Sequence, residues 1–181
     1  AAYGEPIFAD RIYKVLKKGK NFINLNLNFF KHHLNVSNYT GSKASSQSLY
    51  SSIIEIVFGS PRKKNEPIAK LHKDIAASVQ KVFEDIVLSK IQNLYEKYPS
   101  ENLSLSGGCA FNSVLLGKIK KYSNFKNVYA SCNVGDAGGA IGAALFVCQK
   151  YDKIIENDKN LSNPFLGSFS SNDYIGEKIM P

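Results

Sequence analysis

No stretch of the chain reaches the eighteen or more consecutive apolar residues of a membrane-spanning helix, and the N-terminus lacks the basic-then-apolar layout of a secretion signal. Both absences lead us to expect a cytoplasmic protein with no membrane partner. Metal-ligand spacing is equally scarce. Cys109, Cys132 and Cys148 form no CxxC pair and are odd in number, so neither a zinc knuckle nor a complete set of internal disulfides is suggested. Each is expected to be a small buried residue, a common use of free cysteine. His32, His33 and His72 show no HExxH or other ligand spacing, and His72 reads as a surface or capping residue of a helix. Methionine occurs once, at Met180, and the chain opens on Ala1, from which a piece of a longer polypeptide is expected.

Acidic residues are the minority charge. Lys and Arg total 23 against 15 Asp and Glu, a net +8 that could favour a polyanion. The bases are scattered, however, and the clumps "KVLKKGK" and "PRKKNEPIAKLHK" lack the interleaved aromatics of a single-strand binding surface. A solvated surface is the plainer reading, and nucleic acid is not the expected partner.

What is present suits an ordinary globular domain: 181 residues, 44% of them hydrophobic, allow one substantial core. After Pro6 a short helical pattern carries Ile12, Val15 and Leu16 near one face, and the Lys-Lys-Gly that follows suits a helix exit. "FINLNLNFF" alternates apolar residues with Asn, the period of a strand with one wetted face. Residues 31–67 are polar apart from "SLYSSIIEIVFG", which predicts a loop, a short helix and another loop. Leu71, Ile75, Val79, Val82, Ile86, Ile91 and Leu94 then keep a helical spacing that Pro99 terminates.

Beyond that helix come a strand "NLSLSGG", a helix "AFNSVLLGKIKKYS", a strand "NVYAS", a Gly-rich corner "CNVGDAGGA" and a helix "GAIGAALFVCQKY". Strands and helices alternating at these intervals indicate an α/β arrangement with helices covering a sheet. The first corner, Ser106-Gly107-Gly108, lies where a strand enters a helix. N–H groups of a first turn lack intrahelical partners and carry the positive end of the dipole, so bare glycines there let a phosphate approach. Ser106 and Asn112 could add side-chain hydrogen bonds. A tight turn without any ligand explains Ser-Gly-Gly equally well. The second corner repeats the device: Asp136 precedes a helix beginning with Gly138 and Gly139. Small residues also serve close helix packing, and an Asp at that place is often an N-cap. Together the corners fall at neighbouring strand ends, where ligands of open α/β sheets bind.

"LHKDIAASVQKVFEDIV", "NLSLSGGCAFNSVLLGKI" and "VGDAGGAIGAAL", in that order and spacing, closely resemble the O-carbamoyltransferases of antibiotic and nodulation-factor biosynthesis. "AAYGEP" and "NPFLGSFSSNDYI" resemble more weakly the passages before and after. That family is similar to the enzymes of tRNA threonylcarbamoyladenosine synthesis. The resemblance implies an α/β, ribonuclease-H-like half-domain of the actin, hexokinase and Hsp70-like ATPase superfamily, this chain being the second of two halves. Residues 1–30 would lead in, 31–67 would be a variable peripheral insertion, 68–151 the core, and 152–181 an exit linker toward a further domain. The implied reaction converts carbamoyl phosphate and ATP to a carbamoyl-adenylate and passes the carbamoyl group to a hydroxyl of a small acceptor. By resemblance, Ser106, Gly107, Gly108 and Asn112 contact nucleotide, and Gly135, Gly138 and Gly139 form the second ligand-facing corner. Asp136 would ligate a divalent metal, Fe2+ in relatives with Mg2+ or Mn2+ as alternatives, alongside histidines of the rest of the polypeptide. No catalytic side chain is assigned, and the isolated piece is expected to be inactive. A tRNA threonylcarbamoyltransferase-like protein and a non-catalytic interaction module of the same fold remain alternatives.

Overall fold

A computed structural model describes residues 3–19, 23–34, 39–40, 43–44 and 49–151. Contacts cluster into two compact units, Ala1–Pro99 and Ser100–Pro181. The expected exit linker, 152–181, lies outside the described residues, as do parts of the expected insertion.

In the first unit, helix α1 (Ala9–Val15) buries Ile12 and Val15. It stops earlier than the Lys-Lys-Gly signal suggests, because Leu16 turns extended and strand β1 (Leu16–Lys18) pairs antiparallel with β2 (Ile23–Leu25). The Asn-rich alternation yields only those three residues of strand, all exposed, rather than a long strand with one dry face. Asn26 ends it: its side-chain oxygen accepts from the Asn28 N–H at 3.3 Å and its amide donates to the Lys14 carbonyl at 3.0 Å, and the chain turns into a 3-10 helix over Leu27–Phe29. Such local bonds compete with ladder pairing. Strands β3 (Tyr39–Thr40) and β4 (Lys43–Ala44) form a second antiparallel pair, and α2 (Ile53–Phe58) is the short helix expected within the polar region.

Helix α3 (Lys70–Lys97) is the long helix that the periodicity predicts. Its buried stripe differs from the expected one. Ala77, Val82, Ile86 and Ile91 are buried together with Asp74 and Ser78, while Leu71, Val79 and Leu94 are exposed. Asp74 and Ser78 are there because the N-terminal arm docks on them, whereas Glu84, also buried, accepts from the Gln80 side-chain amide at 2.8 Å. Phe8, at the start of α1, has no side-chain cap of its own; its N–H donates instead to the Ser78 hydroxyl at 3.0 Å, and the Glu5 N–H donates to the Asp74 carboxylate at 2.9 Å. Groups at a helix start that lack intrahelical partners are thus satisfied from a neighbouring helix. Lys70 Nζ donates to Asp74 at 2.7 Å, and this bond, then the Glu5 N–H, holds the Asp74 carboxyl below its ordinary range. Beneath the arm, Ile12, Val82 and Ile86 form an apolar cluster with Ala9, Leu16 and Phe58 against it. At about 1.5–3 kcal/mol per buried aliphatic side chain, that cluster outweighs the polar contacts around it. His72 takes the expected capping role, its Nδ1 accepting from the N-cap amide of Ala69 at 2.9 Å.

The second unit is an α/β arrangement. Strand β5 (Asn102–Leu105) pairs in parallel with β6 (Asn127–Ala130), Leu103 opposite Val128 and Leu105 opposite Ala130. A 3-10 turn (Gly108–Phe111) and helix α4 (Ser113–Tyr122) make the crossover that parallel strands require. Leu103, Leu115, Ile119 and Phe125 are buried. Helix α5 (Gly138–Lys150) follows β6 and buries none of its residues fully. The cysteines depart from expectation: Cys109 and Cys132 are exposed and Cys148 is half-buried, because they stand in the two corner loops and on α5 rather than in the core. Among the described residues no helix is long and apolar enough to cross a membrane.

Candidate functional site

The first corner begins where β5 ends. Gly107 adopts φ +93°, a left-handed conformation that side-chain-bearing residues rarely take, and this bend turns the chain into the 3-10 turn. Its N–H donates to the Val134 carbonyl at 2.7 Å, so this donor is used to tie the first corner to the second. The N–H groups of Gly108 and Cys109 meet no acceptor among the described residues. Asn112 is the N-cap of α4: its side-chain oxygen accepts from the Leu115 N–H at 3.0 Å. It sits one residue outside α4, which starts later than the pattern "AFNSVLLGKIKKYS" suggests.

The second corner is built by turns. After β6 the Ser131 hydroxyl accepts from the Asn133 N–H at 3.3 Å, Val134 is buried, and the N–H groups of Gly138 and Gly139 donate to the carbonyls of Gly135 and Asp136 at 3.0 and 3.1 Å. The N-cap of α5 is Ala137, with no side-chain cap bond, so the capping alternative for Asp136 does not hold. Asp136 is exposed, and among the described residues its carboxylate has neither a hydrogen bond nor an ion pair.

Both corners open on one cleft of about 590 Å³, a size suited to a small ligand. Of the residues singled out by sequence, Ser106, Gly107, Gly135, Asp136, Gly138 and Gly139 line it; Gly108 and Asn112 do not. Sequence reasoning missed Tyr129, Ser131, Asn133, Ile141 and Leu145, which also line it. Two signals could have found most of them. Period-2 alternation puts Tyr129 and Ser131 on the face opposite Val128 and Ala130, and the spacing 138, 141, 142, 145 marks one face of α5. For a metal, Asp136 offers one hard oxygen ligand. No group of three or more His, Cys, Asp or Glu side chains converges among the described residues, so these residues alone do not complete a metal centre.

The chain is 35% identical over 184 residues to the uncharacterized protein sll1178 of Synechocystis sp., an alignment covering 99% of the chain and 28% of that protein. Nodulation protein NolNO of Sinorhizobium fredii is 37% identical over 86 residues, 48% of the chain and 13% of that protein. A tRNA N6-adenosine threonylcarbamoyltransferase of Lactococcus lactis subsp. cremoris is 30% identical over 111 residues, 60% of the chain and 32% of that protein. The chain therefore spans less than a third of the length of each of these relatives. The family model of the carbamoyltransferase N-terminus matches residues 1–145, which takes in the docking arm, both parallel strands and both glycine corners. With that match, the chain belongs to the carbamoyltransferase N-terminus family.

Proposed function

We propose that the chain is the ATP- and metal-binding part of a carbamoyltransferase, and that it forms the second ribonuclease-H-like half of an actin, hexokinase and Hsp70-like catalytic domain. The observation that carries the reading is the convergence of the two corners on one cleft through the bond from the Gly107 N–H to the Val134 carbonyl. The parallel order β5, α4, β6, α5 supports the fold assignment. In this reading water cleaves carbamoyl phosphate to carbamate and inorganic phosphate, a carbamate oxygen displaces pyrophosphate from the α-phosphorus of ATP to give a carbamoyl-adenylate, and a hydroxyl of a small acceptor takes the carbamoyl group with loss of its proton and release of AMP.

The chain's own residues have defined tasks. At the first corner the Ser106 hydroxyl, which lines the cleft, offers a donor to phosphate oxygens. Gly139, beside which an added Cβ would meet nothing within 4 Å, keeps the second corner open to the ligand. Asp136 would supply one ligand to a divalent ion, with the others coming from the rest of the polypeptide. Such an ion, when bound, offsets negative charge on the phosphates.

In the full-length protein, pyrophosphate release from ATP should depend on carbamoyl phosphate. Asp136→Ala should lower it by at least about a hundredfold, the scale on which losing an electrostatic stabiliser acts. Undiminished turnover in the variant would refute the role of Asp136.

A further inference from the structure

The cleft of the second unit changes character along its length. Near the corners it is lined by Ser106, Ser131, Asn133 and Asp136, all hydrogen-bonding or charged. Farther along α5, one and two turns from the helix start, it is lined by Ile141 and Leu145. Tyr129, the next outward-facing residue back along β6 from Ser131, stands on the strand side. Its flanking residues Val128 and Ala130 point the other way and are half-buried, whereas Tyr129 is 55% exposed. A broad ring is thus left open to a cavity with aliphatic side chains in the same lining. Gly142 also lines it, and a Cβ added there would meet nothing within 4 Å among the described residues.

A flat, weakly polar ring system attached to a polyanion fits such a lining. Aromatic side chains present π faces on which heteroaromatic bases stack, and aliphatic groups cover the rest of a base without requiring hydrogen bonds. From this we infer that Tyr129 is a base-stacking residue: its ring, with Ile141 and Leu145, receives the purine of the nucleotide while the phosphates lie toward Ser106 and Asp136. The inference rests on the reading of the cleft as a nucleotide site and adds which residues take the base. Stacking makes the base itself a determinant of affinity, so the site separates a nucleotide from a bare polyphosphate.

The test measures equilibrium binding of ATP and of inorganic tripolyphosphate to the full-length protein and its variants by titration calorimetry. Tyr129→Ala should weaken ATP binding by about five- to a hundredfold, the range of one lost base–aromatic stack, with tripolyphosphate affinity unchanged. Tyr129→Phe, which keeps the ring face, should bind ATP within about threefold of wild type. Equal weakening of both ligands by Tyr129→Ala, or no weakening of either, overturns the inference while leaving the nucleotide-site reading standing. Wild-type protein that binds neither ligand removes both. Melting of each variant is followed in parallel. If Tyr129→Ala fails to fold, Tyr129→Leu, which keeps apolar bulk without a flat face, takes its place with the same expected split between the ligands.

Discussion

Adding a single methyl group at Gly138 would put a carbon 2.0 Å from the carbonyl oxygen of Asn133, whereas the same addition at Gly139 would meet nothing within 4 Å. Adjacent in sequence and alike in composition, the two glycines do different jobs. Gly138 lets the turn close against the backbone that precedes it, and Gly139 leaves the cleft open. Gly138→Ala should therefore cost about 1–3 kcal/mol, the range for forced overpacking, while Gly139→Ala should stay within about 0.5 kcal/mol of wild type. Urea denaturation of the two variants checks the contrast. Sequence could not separate them, because the atom that decides belongs to a backbone carbonyl five residues upstream. Asp136 was more legible: a carboxylate just ahead of a glycine-rich helix has few roles, and the absent cap bond removes one of them. Asn112 was legible as a residue at a helix start, but its oxygen caps α4 and it lies outside the cleft lining.

At the level of elements, the sequence pattern found the α-helices among the described residues, read the 3-10 helix over Leu27–Phe29 as strand, and misjudged what α3 buries. Asp74 and Ser78 look like solvent-facing residues of an amphipathic helix, yet Asp74 is only 3% exposed and Ser78 is fully buried, since the N-terminal arm brings its bare N–H groups to them. Nothing in local sequence announces a bond between residues 70 positions apart. Ser78→Ala should cost about 1 kcal/mol, because it leaves the part-buried Phe8 N–H without its acceptor. Amide hydrogen exchange should show α1 losing protection first. Asp74 adds a pH dependence of known sign. Its carboxyl titrates below the ordinary value in the folded protein, so the stabilisation is present above about pH 4, the unfolded value, and is lost as pH falls through the lower folded value. Unfolding free energies measured from neutral to acid pH should converge for wild type and Asp74→Asn below that range. The strand misreading has a similar origin, Asn26 spending its side chain on a turn where the alternation alone predicted more ladder.

For the molecule as a whole, +8 of net charge without a clustered basic and aromatic surface predicts weak, non-specific attraction to polyanions. Binding of tRNA by the 181-residue chain should fade between about 50 and 200 mM salt with a shallow logarithmic slope, and firm binding at the higher salt would favour the threonylcarbamoyltransferase alternative. The α/β order of the second unit was legible because strand and helix periods alternate cleanly between Asn102 and Lys150. The tie between its corners was not, since it joins two backbone atoms and leaves no trace in residue identity. That has a consequence for how the cleft can vary. The distance from the Ser106 bend to the Val134 bend is pinned by a main-chain bond, which side-chain replacement elsewhere leaves in place. Drift in the surrounding residues can retune what the mouth prefers without changing its gauge, and an amide-to-ester swap at Gly107 is the chemical edit that would loosen it.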